Sequence, residues 1–136
     1  MPRRYGPCSS QGLVEAPLRI LAVDNEPSVT LSMRFVFGDP RYELTCVASG
    51  QAALARLDAN SDLFDVIIVD EKMPGLTGAE LVQAIRHRGI NGKIIAVSAF
   101  LTEEIREIYE RLGVYAMFGK PFNVAELRSA VDRAPR

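Results

Sequence analysis

Short apolar runs of strand length alternate, five times over, with stretches whose apolar residues recur at helical spacing. Residues 18–23 and 66–69 are such runs, and 94–97 and 115–118 repeat them (β1, β3, β4 and β5). In 42–46, Tyr42, Leu44 and Cys46 alternate with polar neighbours, which predicts a half-exposed strand, β2, with Cys46 as a small buried apolar residue. Pro27 suits the first turn of a helix running to about Phe37 (α1), and residues 51–57 present Ala52, Leu54 and Ala55 for packing (α2). Thr77 and Glu80 have capping-box spacing ahead of Leu81, Val82 and Ile85 (α3, residues 77–88). Ile105, Ile108, Tyr109 and Leu112 follow i, i+3, i+4, i+7 (α4, residues 105–112), and Asn123 with Glu126 precedes Leu127, Ala130 and Val131 (α5, residues 123–131). Apolar strands alternating with amphipathic helices predict an α/β fold, a doubly wound five-stranded parallel sheet with helices on both faces.

The chain has 136 residues, the size of one domain, with 16 basic and 17 acidic residues in no long block of either sign. That balance argues against a nucleic-acid arm or a membrane-surface patch, and no apolar run is long enough to span a bilayer. Residues 1–17 hold scattered Pro and Gly without periodicity and predict a flexible lead-in, leaving 18–133 as the folded domain. The two arginines near the start have no apolar segment behind them, so a secretory signal is not expected. Cys8 and Cys46 do not make a disulfide framework, which points to a reducing, cytoplasmic setting. His87 is the single histidine, so His- or Cys-based metal sites lack support.

In doubly wound folds the site lies beyond the carboxyl ends of the strands. Polar residues stand there in this chain: Asp24, Asn25 and Glu26 after β1, Asp70 after β3, Ser98 after β4, and Lys120 after β5. Each alone has an ordinary explanation, Asp24 as a helix cap, Ser98 as a turn residue, Lys120 as a solvated loop lysine. Together they place two aspartates, an amide, a hydroxyl and an ammonium at one sheet edge. A carboxylate cluster needs a cation, and an aspartate beside a lysine and a hydroxyl suits a phosphoryl acceptor. Hard oxygen ligands point to Mg2+.

Ile20-Leu-Ala-Val-Asp-Asn-Glu-Pro27, Val69-Asp70-Glu-Lys-Met-Pro-Gly75, Ser98-Ala99 and Lys120-Pro121-Phe122 occur in this order. With these motifs, residues 18–132 resemble the receiver domain of two-component response regulators. The resemblance implies a flavodoxin-like (βα)5 fold of strand order 2-1-3-4-5. It implies that Asp70 accepts a phosphoryl group from a sensor histidine kinase or phosphotransfer protein, that Lys120 pairs with the phosphoryl oxygens, and that Ser98 hydrogen-bonds them after a switch. Mg2+ would be held by Asp24, Asn25, Asp70 and the backbone carbonyl of Lys72, the Met73-Pro74-Gly75 break bending that loop towards the metal. The readout would be the α4-β5-α5 surface, which could also support a homodimer, in a signalling domain that catalyses only its own phosphotransfer and dephosphorylation.

Two departures from the family stand out. A carboxylate is usual where this chain has Asn25, which predicts weaker Mg2+ binding; Pro27 should keep Glu26 at the helix start, too far out to compensate. An aromatic ring is usual where it has Met117, the residue that would otherwise switch with Ser98. A receiver-like interaction module that is weakly or not phosphorylated is therefore the alternative reading. Flavin binding and haloacid-dehalogenase-type phosphatase chemistry fit less well: Asp24-Asn25-Glu26 would repel a flavin phosphate, and the nucleophile-like Asp70 follows β3, not β1. The chain ends about where a receiver ends, as expected for a stand-alone regulator or for one domain of a longer protein, with no direct nucleic-acid partner.

Overall fold

A computed structural model describes residues 16–59, 64–90 and 92–134. The expected lead-in, 1–17, lies outside the described residues apart from Ala16 and Pro17, as does Cys8. Ten elements alternate: β1 (Leu18–Val23), α1 (Pro27–Val36), β2 (Tyr42–Val47), α2 (Gly50–Ala59), β3 (Val66–Asp70), α3 (Gly78–His87), β4 (Lys93–Ser98), α4 (Glu103–Arg111), β5 (Ala116–Gly119) and α5 (Val124–Arg133). The strands form one sheet, all parallel, in the order β2-β1-β3-β4-β5, as expected.

Strand alternation divides the core in two. Ile20, Ala22, Val66, Ile68, Ile95 and Val97 face Met33 and Val36 of α1 and Leu127, Ala130 and Val131 of α5. Leu21, Val23, Ile67, Val69, Ile94 and Ala96 face α2, α3 and α4 through Leu57, Leu81, Val82, Ile85 and Tyr109. Each fully buried Leu or Ile contributes about 2 kcal/mol against exposure. β1, β3 and β4 are covered on both faces, which is why they read as unbroken apolar runs. β2 and β5 are the edges. Cys46, expected to be buried, is only half-buried because its strand has a neighbour on one side alone.

Local chemistry sets the helix starts. Thr77 and Glu80 form the expected capping box, with the Glu80 amide donating to Thr77 Oγ1 (3.2 Å) and the Thr77 amide to Glu80 Oε1 (2.9 Å). Thr102 caps α4 and Asn123 caps α5 by a single bond each, accepting from the amides of Ile105 and Glu126. α1 differs: Pro27 opens it, but Glu26 at its N-cap makes no capping bond with its side chain. Arg86 on α3 donates to the carbonyls of Leu112 and Gly113 after α4 and to those of Ile90 and Gly92, joining two helix exits. No helix among the described residues is long and apolar enough to cross a membrane.

Candidate functional site

Three strand ends deliver charge to one point. Asp24 follows β1, Asp70 is the last residue of β3, and Lys120 follows β5. The parallel register puts all of these at the same edge of the sheet, although Asp24 and Lys120 are 96 residues apart in sequence. Lys120 Nζ lies 3.0 Å from Asp24 Oδ2 and 3.1 Å from Asp70 Oδ1. Both aspartates are 3 % exposed. Burying a carboxylate without a partner costs several kcal/mol, so the ammonium between them is what makes the pair tolerable.

Glu26 is the third carboxylate. The expectation that it stays out of the site does not hold: Lys120 Nζ donates to Glu26 Oε1 at 3.1 Å. The helix start is in fact what aims it. Glu26 occupies the N-cap of α1 in extended conformation, its amide donating to Asp24 Oδ1 (2.9 Å), and its side chain turns to the lysine instead of capping the helix. An open cleft of about 280 Å3 lies against these groups, lined by Asn25, Glu26, Asp70, Lys72, Ala99 and Lys120.

Ser98 comes near but does not join the cluster. It is buried at the end of β4, and its carbonyl accepts from the Lys120 amide (2.8 Å). Its hydroxyl donates to the Phe100 carbonyl (3.2 Å) and accepts from the Phe100 amide (3.1 Å), so it is engaged with the segment leading into α4. Met117 is half-buried against the cluster that contains Tyr109 and Ile105 of α4.

The electrostatics follow from this crowding. Burial pushes the Asp70 carboxyl above the ordinary carboxylate range and the neighbouring Asp24 adds to it; Lys120 and the Lys72 amide oppose both without cancelling them. Burial alone would lower Lys120, but hydrogen bonds to Asp24, Asp70 and Glu26 outweigh it and hold the ammonium protonated well above its usual range. Three carboxylates face one ammonium, so negative charge is in excess.

Sequence reasoning missed one further contact. Glu71, next to Asp70, accepts a hydrogen bond from the hydroxyl of Tyr109 on α4. The Tyr109 ring is fully buried, and burial and then Glu71 push its hydroxyl far above the usual phenol range. The signal was present: a tyrosine on the apolar face of a helix needs an acceptor for its hydroxyl.

The sequence pattern of the response regulator receiver domain family matches residues 20–132. This chain belongs to that family. The receiver is 27 % identical over 115 residues to the sporulation initiation phosphotransferase F of Bacillus subtilis, covering 85 % of this chain and 91 % of that protein. It is 29 % identical over 117 residues to the regulatory protein AtoC of Escherichia coli, but there it spans only 25 % of the relative's length. Among solved structures it is similar to the chemotaxis protein CheY4 of Vibrio cholerae, with TM-score 0.80, 30 % identity and coverage of 88 % of this chain and 100 % of that one. The Francisella response regulator 1452 receiver domain gives TM-score 0.78 at 27 % identity, covering 85 % and 93 %.

Receivers of this family bind Mg2+ at the phosphorylation site and interact with histidine kinases or phosphotransfer proteins. The residues present suit that ion. Asp24, Asp70, Asn25 and the Lys72 backbone offer only hard oxygen donors. Among the described residues no three acidic, His or Cys side chains gather as a metal cage. Mg2+ favours few carboxylates and keeps several waters, and the excess negative charge of this cleft is what a divalent cation would neutralise.

Proposed function

We propose that Asp70 is the phosphoacceptor of a receiver spanning 18–133 and takes its phosphoryl group from a phosphohistidine on a sensor kinase or phosphotransfer protein. The observation that supports this most directly is Lys120 bridging Asp24 and Asp70 beside an open cleft. An Asp70 carboxylate oxygen attacks phosphorus in line as the P–N bond breaks, and the leaving nitrogen takes up a proton. Lys120 turns from Asp70 to the new phosphoryl oxygens without leaving the cleft. Ser98 gives up Phe100 and hydrogen-bonds the phosphoryl group, changing the entry to α4 and hence the α4-β5-α5 surface, which is the output face and the candidate homodimer face. Asp24, Asn25, Asp70 and the Lys72 carbonyl would hold Mg2+, whose chemistry is to neutralise charge on the transferring group. We place the domain in the cytoplasm and assign it no separate substrate.

Incubation with Mg2+ and a small phosphoryl donor should add one acid-stable but base-labile phosphoryl group at Asp70, read by mass spectrometry. No adduct, and no spectral shift with beryllofluoride, would favour the alternative of a non-phosphorylated interaction module. Asn25 contributes an oxygen but no charge. Asn25→Asp should tighten Mg2+ binding roughly ten-fold, measured by calorimetry because the chain has no tryptophan to report quenching. Unchanged affinity would remove Asn25 from the ligand set and leave Glu26, acting through Lys120, as the compensating charge.

A further inference from the structure

The Glu71–Tyr109 contact joins the residue after the phosphoacceptor to the interior of α4. Its two sides differ in freedom. The Glu71 amide donates to the Val97 carbonyl of β4 (2.9 Å), its own carbonyl accepts from the Gly78 amide (2.9 Å), and its carboxylate also accepts from the Ala79 amide (3.1 Å). Glu71 is therefore fastened to β4 and to the start of α3 at once. Tyr109 sits on α4, whose entry runs through Ser98 and Phe100. Gly78 leaves the space for the meeting: a Cβ there would stand 2.6 Å from the Tyr109 hydroxyl and 2.6 Å from the Asp70 carbonyl, closer than any side chain tolerates.

We infer that the Tyr109–Glu71 hydrogen bond is a latch that holds α4 in its unmodified position, in a receiver whose usual switching ring is replaced by Met117. The inference rests on the phosphoacceptor reading of Asp70. When Ser98 abandons Phe100, α4 is released at its entry, and Glu71 is too firmly held to follow it. Displacement of α4 then breaks the latch and strands the buried Tyr109 hydroxyl, while the half-buried Glu71 keeps its bond from the Ala79 amide, a cost that favours the unmodified state. By linkage, a device that stabilises the unmodified state weakens every ligand specific to the modified one by the same factor. Met117 packs in the same cluster as Tyr109 and Ile105, so its flexible side chain can refill the volume as the helix moves.

Tyr109→Phe removes the hydroxyl and keeps the ring. Titrated with beryllofluoride in saturating Mg2+, it should bind about five-fold more tightly than wild type, the factor expected for one hydrogen bond of ordinary net worth. Glu71→Gln keeps an acceptor oxygen and should stay within about two-fold of wild type, while adding Tyr109→Phe to it should again tighten binding. A merely structural tyrosine would lower the melting temperature and leave beryllofluoride affinity alone. Hydrogen exchange on the wild type gives a second test, independent of whether the variants fold: amides around Tyr109 in α4 should lose protection when beryllofluoride binds. Equal affinities for Tyr109→Phe and wild type, or unchanged α4 protection on binding, would overturn the latch while leaving Asp70 as acceptor. Failure of the wild type to bind beryllofluoride at all would overturn the acceptor reading and the latch with it.

Discussion

Asp70→Asn is expected to take up no phosphoryl group and, in metal-free buffer at neutral pH, to melt several degrees above wild type. The two effects have one origin. The acceptor is a buried carboxylate placed against a second one, and burial and Asp24 together raise its pKa despite Lys120. A raised carboxyl pKa means that the native state binds the proton more tightly than the unfolded chain does. Stability then falls as pH rises, from the ordinary carboxylate value near 3.8 through the raised native value, above which the full penalty is present. Asparagine retains an acceptor for Lys120 and removes the charge. The gain should be on the order of 1 kcal/mol, a few degrees for a domain of this size, and should shrink towards zero as wild type is taken to low pH. Mg2+ should stabilise wild type more than the variant and narrow the gap. Thermal melts across pH, with and without Mg2+, read all of this. A variant less stable than wild type at neutral pH without metal would mean that the Asp70 charge is not under strain.

Lys120→Met should produce the largest loss. It keeps the apolar stem and removes the ammonium that Asp24, Asp70 and Glu26 share. Two buried carboxylates are left without a counter-charge, which costs about 3–5 kcal/mol in comparable buried pairs. The lysine pKa is raised, so its contribution is fully present below the unfolded value and fades only as pH climbs beyond it. Across the working range the deficit is thus set by the carboxylates, and it should diminish in acid as Asp70 protonates. Phosphotransfer should slow as well, because the charge that meets the transferred group has gone. Adding Asp70→Asn should recover much of the stability, a non-additivity expected of groups in direct contact. If Lys120→Met melted within a degree or two of wild type at neutral pH, the ammonium would not be what holds the aspartates together.

Much of this molecule was legible in its residues. Periodicity alone indicated five strands and five helices, because an apolar run covered on both faces and an amphipathic helix leave different marks. Thr77 with Glu80 marked a helix start, because capping is a local hydrogen bond between residues three apart. The motifs around Asp24, Asp70, Ser98 and Lys120 pointed to one edge of the sheet, since parallel strands all end on the same side. Where only one neighbour was present, as for Cys46 on the edge strand, the expectation of full burial failed.

Tertiary structure alone decided who touches whom at that edge. Glu26 reaches Lys120, across 94 residues of chain, because the first turn of α1 aims it there. Ser98 bonds to Phe100 and not to the charged cluster, a choice between partners that a strand-end position does not encode. Glu71 meets Tyr109 across 38 residues only because α3 yields space at Gly78. Patterning is short-range and survives in the order of the residues. Pairing between side chains depends on distances of a few ångströms between distant segments, and those exist only once the sheet has brought its strand ends together.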